Sequence, residues 1–174
     1  QLEQDLATFK EHTGMIEFSD MIKLFVKRKK CPDIDAVFLD EAQDLNPLQW
    51  EMFFYIEEQC KRSYIAGDDD QTIYGFQGAE PDIFVNLKGT FDPQTESHRV
   101  PKKVHQKAFE VISQIPEENR VLKNWTPRKA EGEVFENMYL DEIDFTHENW
   151  MILAQTNKLL DEIGEYFYGL GIRF

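Results

Sequence analysis

The sequence has 174 residues, 41% hydrophobic and 13% aromatic, enough to build a packed core and too apolar for a disordered tail. Its 19 Lys and Arg against 33 Asp and Glu leave a formal charge of −14, the opposite of the basic face of a general nucleic-acid binder. Two cysteines without a Cys-x-x-Cys pair, Cys31 and Cys60, and the lack of any long apolar run read as a reduced, cytoplasmic protein that enters no membrane.

The chain opens at Gln1, inside a helical pattern, and reads as excised from something longer. Residues 2–11 and 17–29 are expected to be helices. In the second, Met21, Ile22, Leu24, Phe25 and Val26 share one apolar face, Ser19 is the candidate N-cap and Pro32 ends the helix. The single basic run, Lys27 to Lys30, reads as a solvated helix end.

Residues 36–39 form an apolar run that stops at Asp40 and Glu41, and 63–66 form a second that stops before Asp68, Asp69 and Asp70. Each looks like a buried parallel strand. Between them Asn46, Pro47 and Gln49 supply an N-cap, a first-turn proline and a capping-box partner. Trp50, Met52, Phe53, Phe54, Tyr55 and Ile56 make the following helix apolar nearly all round, so it should be buried. Strand, helix and strand in this order predict a βαβ unit with a right-handed crossover. Both acidic patches then fall at the carboxyl edge of the sheet, where open α/β folds bind ligands. Asp40 beside Glu41 suits a Mg²⁺-nucleotide site, one carboxylate near the metal and one near an attacking water; the same pair also suits an ordinary polar loop.

Beyond the second patch the pattern predicts a short helix over 81–87, stopping at Gly89, and a third strand at 94–97. An amphipathic helix follows, with Val104, Ala108, Val111, Ile112 and Ile115 on one stripe and Pro116 as its stop. Residues 117–132 read as a polar connection, 133–139 and 150–154 as strands, and Leu159, Leu160, Ile163, Phe167 and Leu170 as the face of a helix. Residues 171–174 look like the start of one more strand.

Gly67-Asp68-x-x-Gln71-x-Ile73-Tyr74-Gly75-Phe76-x-Gly78-Ala79 closely resembles motif III of UvrD/Rep-type superfamily-one DNA helicases. Asp40-Glu41-Ala42-Gln43-Asp44 resembles their motif II, the Walker B segment. Residues 97–101, Ser-His-Arg-Val-Pro, stand at the place of motif IV, and 17–22 and 150–172 are similar to the stretches flanking these motifs. The resemblance covers nearly the whole chain. It implies an α/β fold of the RecA-like, P-loop NTPase type, a parallel sheet flanked by helices. Residues 1–98 would be the second half of the first lobe, and 99–174 would carry motif IV and open the second lobe. It implies ATP and Mg²⁺ as cofactors, single-stranded DNA as partner, other helicase segments of the same polypeptide, and 3′→5′ movement.

Taken position by position, the resemblance implies that Asp40 holds Mg²⁺, commonly through water, and Glu41 polarises the attacking water. Gln71 would sense the γ-phosphate and couple it to DNA, and Arg99 would be an arginine finger. His98, where the family has Tyr, would stack on adenine. Phe76 would stack on a DNA base, with Tyr74 supporting its loop. Gln77 and Gln155 replace arginines usual in the family. Plainer roles remain open: Arg99 as a surface residue, Phe76 as a core plug, Asp68 to Asp70 as turn formers. His12, His105 and His147 show no ligand spacing.

No G-x-x-x-x-G-K-[ST] loop occurs in these residues, nor do motifs V and VI, so the chain alone is expected to be inactive. Two other readings stand beside a helicase segment. One is a Mg²⁺-dependent nuclease built on Asp40, Glu41, Asp44 and Asp68 to Asp70. The other is a non-catalytic, helicase-like interaction module.

Overall fold

Residues Ala36–Leu39 form β1 and Arg62–Ile65 form β2, paired in parallel with Ala36 opposite Arg62 and Leu39 opposite Ile65. The structure is a computed structural model and describes residues 2–117, 121–145, 147 and 149–172. It divides into two compact units, Gln1–Gly132 and Glu133–Phe174. No described helix is long and apolar enough to cross a membrane.

In the first unit, α1 (Leu2–Thr13) and α2 (Phe18–Arg28) precede β1. Glu17, not Ser19, caps α2, because the Asp20 carboxylate reaches back to accept the Glu17 N–H at 3.0 Å. Lys10 fixes the corner, its ammonium 2.6 Å from Asp20 and 2.8 Å from Glu17. The helix stops at Lys29, in the left-handed region at φ 48°, so it ends before Pro32 is reached. Helix α3 (Pro47–Glu57) opens as its sequence demands: Asn46 Oδ1 accepts the Gln49 N–H at 3.0 Å while Gln49 Oε1 accepts the Asn46 N–H at 2.9 Å. Its Trp50 and Phe53 join Ala42 as the buried core, against which Val37, Leu39, Ile65, Phe84 and Leu87 pack. Helix α2 lies on α3 through the edge-on rings of Phe25 and Tyr55, 5.8 Å apart.

The sheet has two strands among the described residues and is covered on one face. Strands buried on both sides were the expectation from continuous apolar runs. Alternation instead sends Phe38 and Tyr64 to the other face, 75% and 49% exposed, where their rings stack at 4.8 Å.

Helix α4 (Pro81–Val85) packs on the turn Ala42–Asp44, and α5 (Lys102–Ile112) follows the motif IV-like segment. The expected third strand at 94–97 reduces to one parallel bridge, Glu96 with Thr126. Its partner is the stretch read as a loose connection. Thr126 N–H donates to Thr95 O and Arg128 N–H to Val100 O, both at 2.9 Å. The first N–H groups of α5, at Lys102 and Lys103, find Ala130 O and Glu131 O at 3.0 and 2.9 Å. Residues 121–132 thus supply the acceptors that Pro101, lacking a capping side chain, does not.

The second unit contains α6 (Asn157–Gly169), capped by Thr156, whose Oγ1 accepts the Leu159 N–H. Phe167 is buried there, edge-on to Phe145 at 4.8 Å. Neither 133–139 nor 150–154 forms a strand. Both are extended in pattern, but the described part of this unit gives neither a ladder partner, and an isolated strand does not persist in water. The start of a strand at 171–174 is a turn at Gly171, and its last two residues lie outside the described ones.

Candidate functional site

The two acidic patches meet because the strands that carry them pair in register to their last residues. Leu39 O accepts the Ala66 N–H at 2.8 Å and Ala66 O accepts the Ala42 N–H at 3.0 Å, zipping the chains together just past the sheet. Glu41 turns there in the left-handed region, φ 52° and ψ 43°, a conformation that costs a non-glycine residue about 1–3 kcal/mol. Asp40 and Glu41 are both exposed, and Asp40 Oδ1 accepts the Glu41 N–H at 3.0 Å.

Gln43 lies beneath them, 1% exposed. Its Nε2 donates to Glu41 Oε2 at 2.8 Å, and its Oε1 accepts the Asp68 N–H at 2.9 Å. Gly67 makes this approach possible. A Cβ there would fall 2.7 Å from Gln43 Oε1, 3.0 Å from Phe84 Cζ and 3.2 Å from the Ala42 nitrogen.

Asp68 caps the short turn Asp69–Gln71, its Oδ1 accepting the Asp70 N–H at 3.2 Å, while Oδ2 accepts from Gln71 Nε2 at 2.5 Å. Lys123 spans all three aspartates: its ammonium contacts the Asp68 and Asp69 carboxylates and stands 3.2 Å from Asp70. Asp69 Oδ2 also takes the Val121 N–H at 3.0 Å. Burial is the largest single influence on the Asp68 carboxyl and pushes its pKa up. The hydrogen bonds from Lys123 and Gln71 outweigh it, so the net shift is below the usual carboxylate value. Burial likewise lowers Lys123, and its aspartate partners outweigh that and raise it.

Gln71 and Arg99 both line one cavity of about 610 Å³, which Asp68, Lys123, Trp125 and His105 also line. Trp125 and His105 meet edge-on at 4.2 Å on its apolar wall. Ser97 Oγ accepts the Val100 N–H at 3.0 Å and the Arg99 N–H at 3.3 Å, setting the turn that carries Arg99 ahead of α5. Asp40, Glu41 and His98 are not among the lining residues, and His98 is exposed. The Tyr74 to Ala79 loop projects separately. Phe76 is 81% exposed, its ring 6.1 Å from that of Tyr74, with Gly78 at φ 83° closing the turn. A core plug would be covered; this ring is not.

Among the described residues no group of three or more His, Cys, Asp or Glu side chains is placed to hold a metal. Mg²⁺ bound chiefly through phosphates and waters needs only one or two carboxylates, and exposed Asp40 at a strand end fits that requirement. A nuclease needs more. Its candidate ligands Asp68, Asp69 and Asp70 are engaged by Lys123, which speaks against that reading.

Two residues of the site were not assigned a role from sequence. Gln43 stood in plain view inside the acidic patch, and a lone amide among carboxylates was the available signal. Lys123 lay in a stretch read as connection, and no local pattern marks it.

A parallel β–α–β unit whose strand ends bring two acidic turns together makes the chain an α/β protein with polar groups gathered at the carboxyl edge of its sheet, where open α/β folds bind ligands. The family described as UvrD/REP helicase N-terminal domain matches residues 3–92, more than half of the chain. The chain belongs to this family, for which a RecA-like fold is the implied architecture. It is 39% identical over 57 residues, 33% of its length, to a probable DNA helicase II homolog of Mycoplasma capricolum, covering 8% of that protein. It is 27% identical over 130 residues, 67% of its length, to DNA helicase II of Haemophilus influenzae, covering 18% of it. With ATP-dependent DNA helicase Rep of Salmonella typhimurium it shares 33% identity over 87 residues, 45% of its length and 13% of Rep. The chain thus spans less than a fifth of each of these relatives.

Proposed function

We propose that the chain is the middle of an ATP-dependent DNA helicase, with residues 1–98 completing a first RecA-like lobe and 99–174 opening a second. The parent would couple Mg²⁺-ATP hydrolysis to 3′→5′ movement on single-stranded DNA. One observation carries the reading: Gln71 and Arg99, 28 positions apart by their numbers, line the same cavity, and Gln71 is joined through Asp68 and Gln43 to Glu41. A γ-phosphate sensor and an arginine finger acting on one nucleotide would share a cavity in this way, and the water-polarising carboxylate, outside the cavity lining, would be tied to them through that hydrogen-bonded chain.

In this reading Glu41 orients and polarises the attacking water, and Arg99 stabilises charge on the transferring phosphoryl group. His98 lies against the base. Asp40 would hold Mg²⁺, which neutralises phosphate charge when bound. Tyr74 and Phe76 grip single-stranded DNA, and the remaining segments of the polypeptide supply the phosphate loop.

The test is nucleotide binding and DNA-stimulated turnover in the full-length polypeptide. Glu41→Gln should keep Mg²⁺-ATP binding and nearly abolish turnover. Arg99→Ala should depress turnover, by up to about 10³- to 10⁵-fold if it is the sole arginine at the γ-phosphate. Wild-type turnover in both variants overturns the assignment.

A further inference from the structure

Gln43 is a polar side chain buried to 1% exposure, named above only as a link between Asp68 and Glu41 and given no role of its own. Burying a primary amide is unfavourable unless its hydrogen bonds are made, and here both ends are engaged. The carbonyl oxygen faces the Asp68 N–H, and the amide nitrogen faces the Glu41 carboxylate, with Asp44 Oδ2 more distant at 3.5 Å. This assignment has no workable flip: an N–H donor demands the oxygen, and a carboxylate demands the NH₂.

The bridge joins two groups that would otherwise move independently. Glu41 sits on a strained left-handed turn and is exposed, so its carboxylate has little else to fix it. Asp68 begins the turn that holds Gln71 and is tied on its far side to Lys123. Gly67 lets the amide sit directly against the β2 exit, where a Cβ would press on its oxygen at 2.7 Å.

We infer that Gln43 is a positioning residue that sets the Glu41 carboxylate and transmits the position of the Asp68–Gln71 turn to it. The inference rests on the proposed role of Glu41 as the water-polarising group. In it, a shift of Gln71 on contact with a nucleotide moves Asp68, and through the Gln43 amide reorients Glu41. Turnover then responds to the turn that leads into the DNA-facing loop.

Three variants of the full-length polypeptide test this: Gln43→Glu, Gln43→Met and Glu41→Gln as reference. ATP affinity, kcat with and without single-stranded DNA, and melting temperature are read on each. Gln43→Glu keeps the acceptor for the Asp68 N–H and loses the donor to Glu41; Gln43→Met loses both. A misplaced catalytic group costs on the order of 10²-fold, so each Gln43 variant should lose about that much in kcat and most of its DNA stimulation. ATP affinity should stay near that of the unsubstituted protein. If Glu41→Gln is inactive while both Gln43 variants turn over normally, the positioning role is overturned and the reading of Glu41 stands. Parallel losses of ATP affinity, kcat and melting temperature would make Gln43 a structural amide only, which also overturns it. Normal turnover by Glu41→Gln overturns the site reading itself. Should Gln43→Met fail to fold, the isosteric Gln43→Glu decides.

Discussion

The Lys123 ammonium rests on the Asp68 carboxylate from 55 positions further along the chain, and Asp69 and Asp70 share it. One cation thereby offsets three neighbouring negative charges at the turn that presents Gln71. Removing it leaves those charges to repel one another at a partly buried site. Lys123→Ala should destabilise the protein by about 1–3 kcal/mol, between the values for exposed and fully buried pairs, since Lys123 retains 24% side-chain exposure. Lys123→Arg should recover most of the loss. Urea unfolding checks both; an unchanged midpoint in the alanine variant would show the cluster to be solvated.

The same cluster sets a pH window. Asp68 is held below its ordinary value of 3.8, so its contribution is present above that pH and is lost as pH falls through the lowered value. Lys123 is held above 10.5, so its contribution is present below that pH and is lost as pH rises through the raised value. Stability from this pair should be level between those limits. The stability difference between wild type and Lys123→Ala should therefore shrink on going from about pH 7 to about pH 3. A difference that stays constant would assign the effect to lost packing.

Gly67 offers a backbone test of the junction between the patches. Its added methyl would press on Gln43 Oε1, on Phe84 and on the Ala42 backbone, and the last cannot yield without shifting the exit of β1. Gly67→Ala should cost about 1–3 kcal/mol, as overpacking does. A double variant with Phe84→Leu relieves one of the three contacts, so calorimetry should show partial recovery at most.

How much of this was legible in the sequence depends on the range of the interactions. The α3 start was readable because Asn46, Pro47 and Gln49 act on their own neighbours within one turn. Strand β1 was readable because four apolar residues stop at Asp40, and β2 because the short apolar run 64–66 ends just before the acidic turn; the structure moves β2 by only one residue. The exposure of Phe38 and Tyr64 was not, since an apolar run does not say whether both faces are covered. Residues 133–139 and 150–154 are rich in the apolar and aromatic residues that strands favour, yet pairing is a property of a partner and not of the segment. Within the site, Asp40, Glu41, Gln71 and Arg99 were named from motifs, while Lys123 depends on a fold-back over tens of residues that no local pattern encodes.

The 174 residues by themselves should show no ATP turnover, with or without DNA. If the cavity shared by Gln71 and Arg99 takes a nucleotide as proposed, these residues offer it no Gly-Lys-[Ser/Thr] loop to cradle the phosphates. Binding of single-stranded DNA should be weak and strongly salt-dependent, given the formal charge of −14. A phosphate-release assay on the purified chain is sufficient, and DNA-stimulated release would refute the expectation.

Phe76 separates a motor from a generic nucleotidase. Its ring is 81% exposed at the tip of a loop closed by Gly78, so it contributes little to the folded state of this chain. Phe76→Ala should change unfolding free energy by no more than about 0.5 kcal/mol, as surface substitutions do. If the ring stacks on a base in the full-length helicase, the same change should cost on the order of 1–3 kcal/mol of single-strand binding, with little sequence preference. Basal ATP turnover should survive, because Phe76 does not line the cavity of Gln71 and Arg99. Unwinding should fall sharply, since a motor that hydrolyses without gripping its track does no work. Melting temperature, basal turnover and unwinding measured on one preparation resolve the question. A loss of about 3–5 kcal/mol in stability, with turnover and unwinding falling together, would mean that another part of the polypeptide covers the ring, and would remove Phe76 from the DNA site.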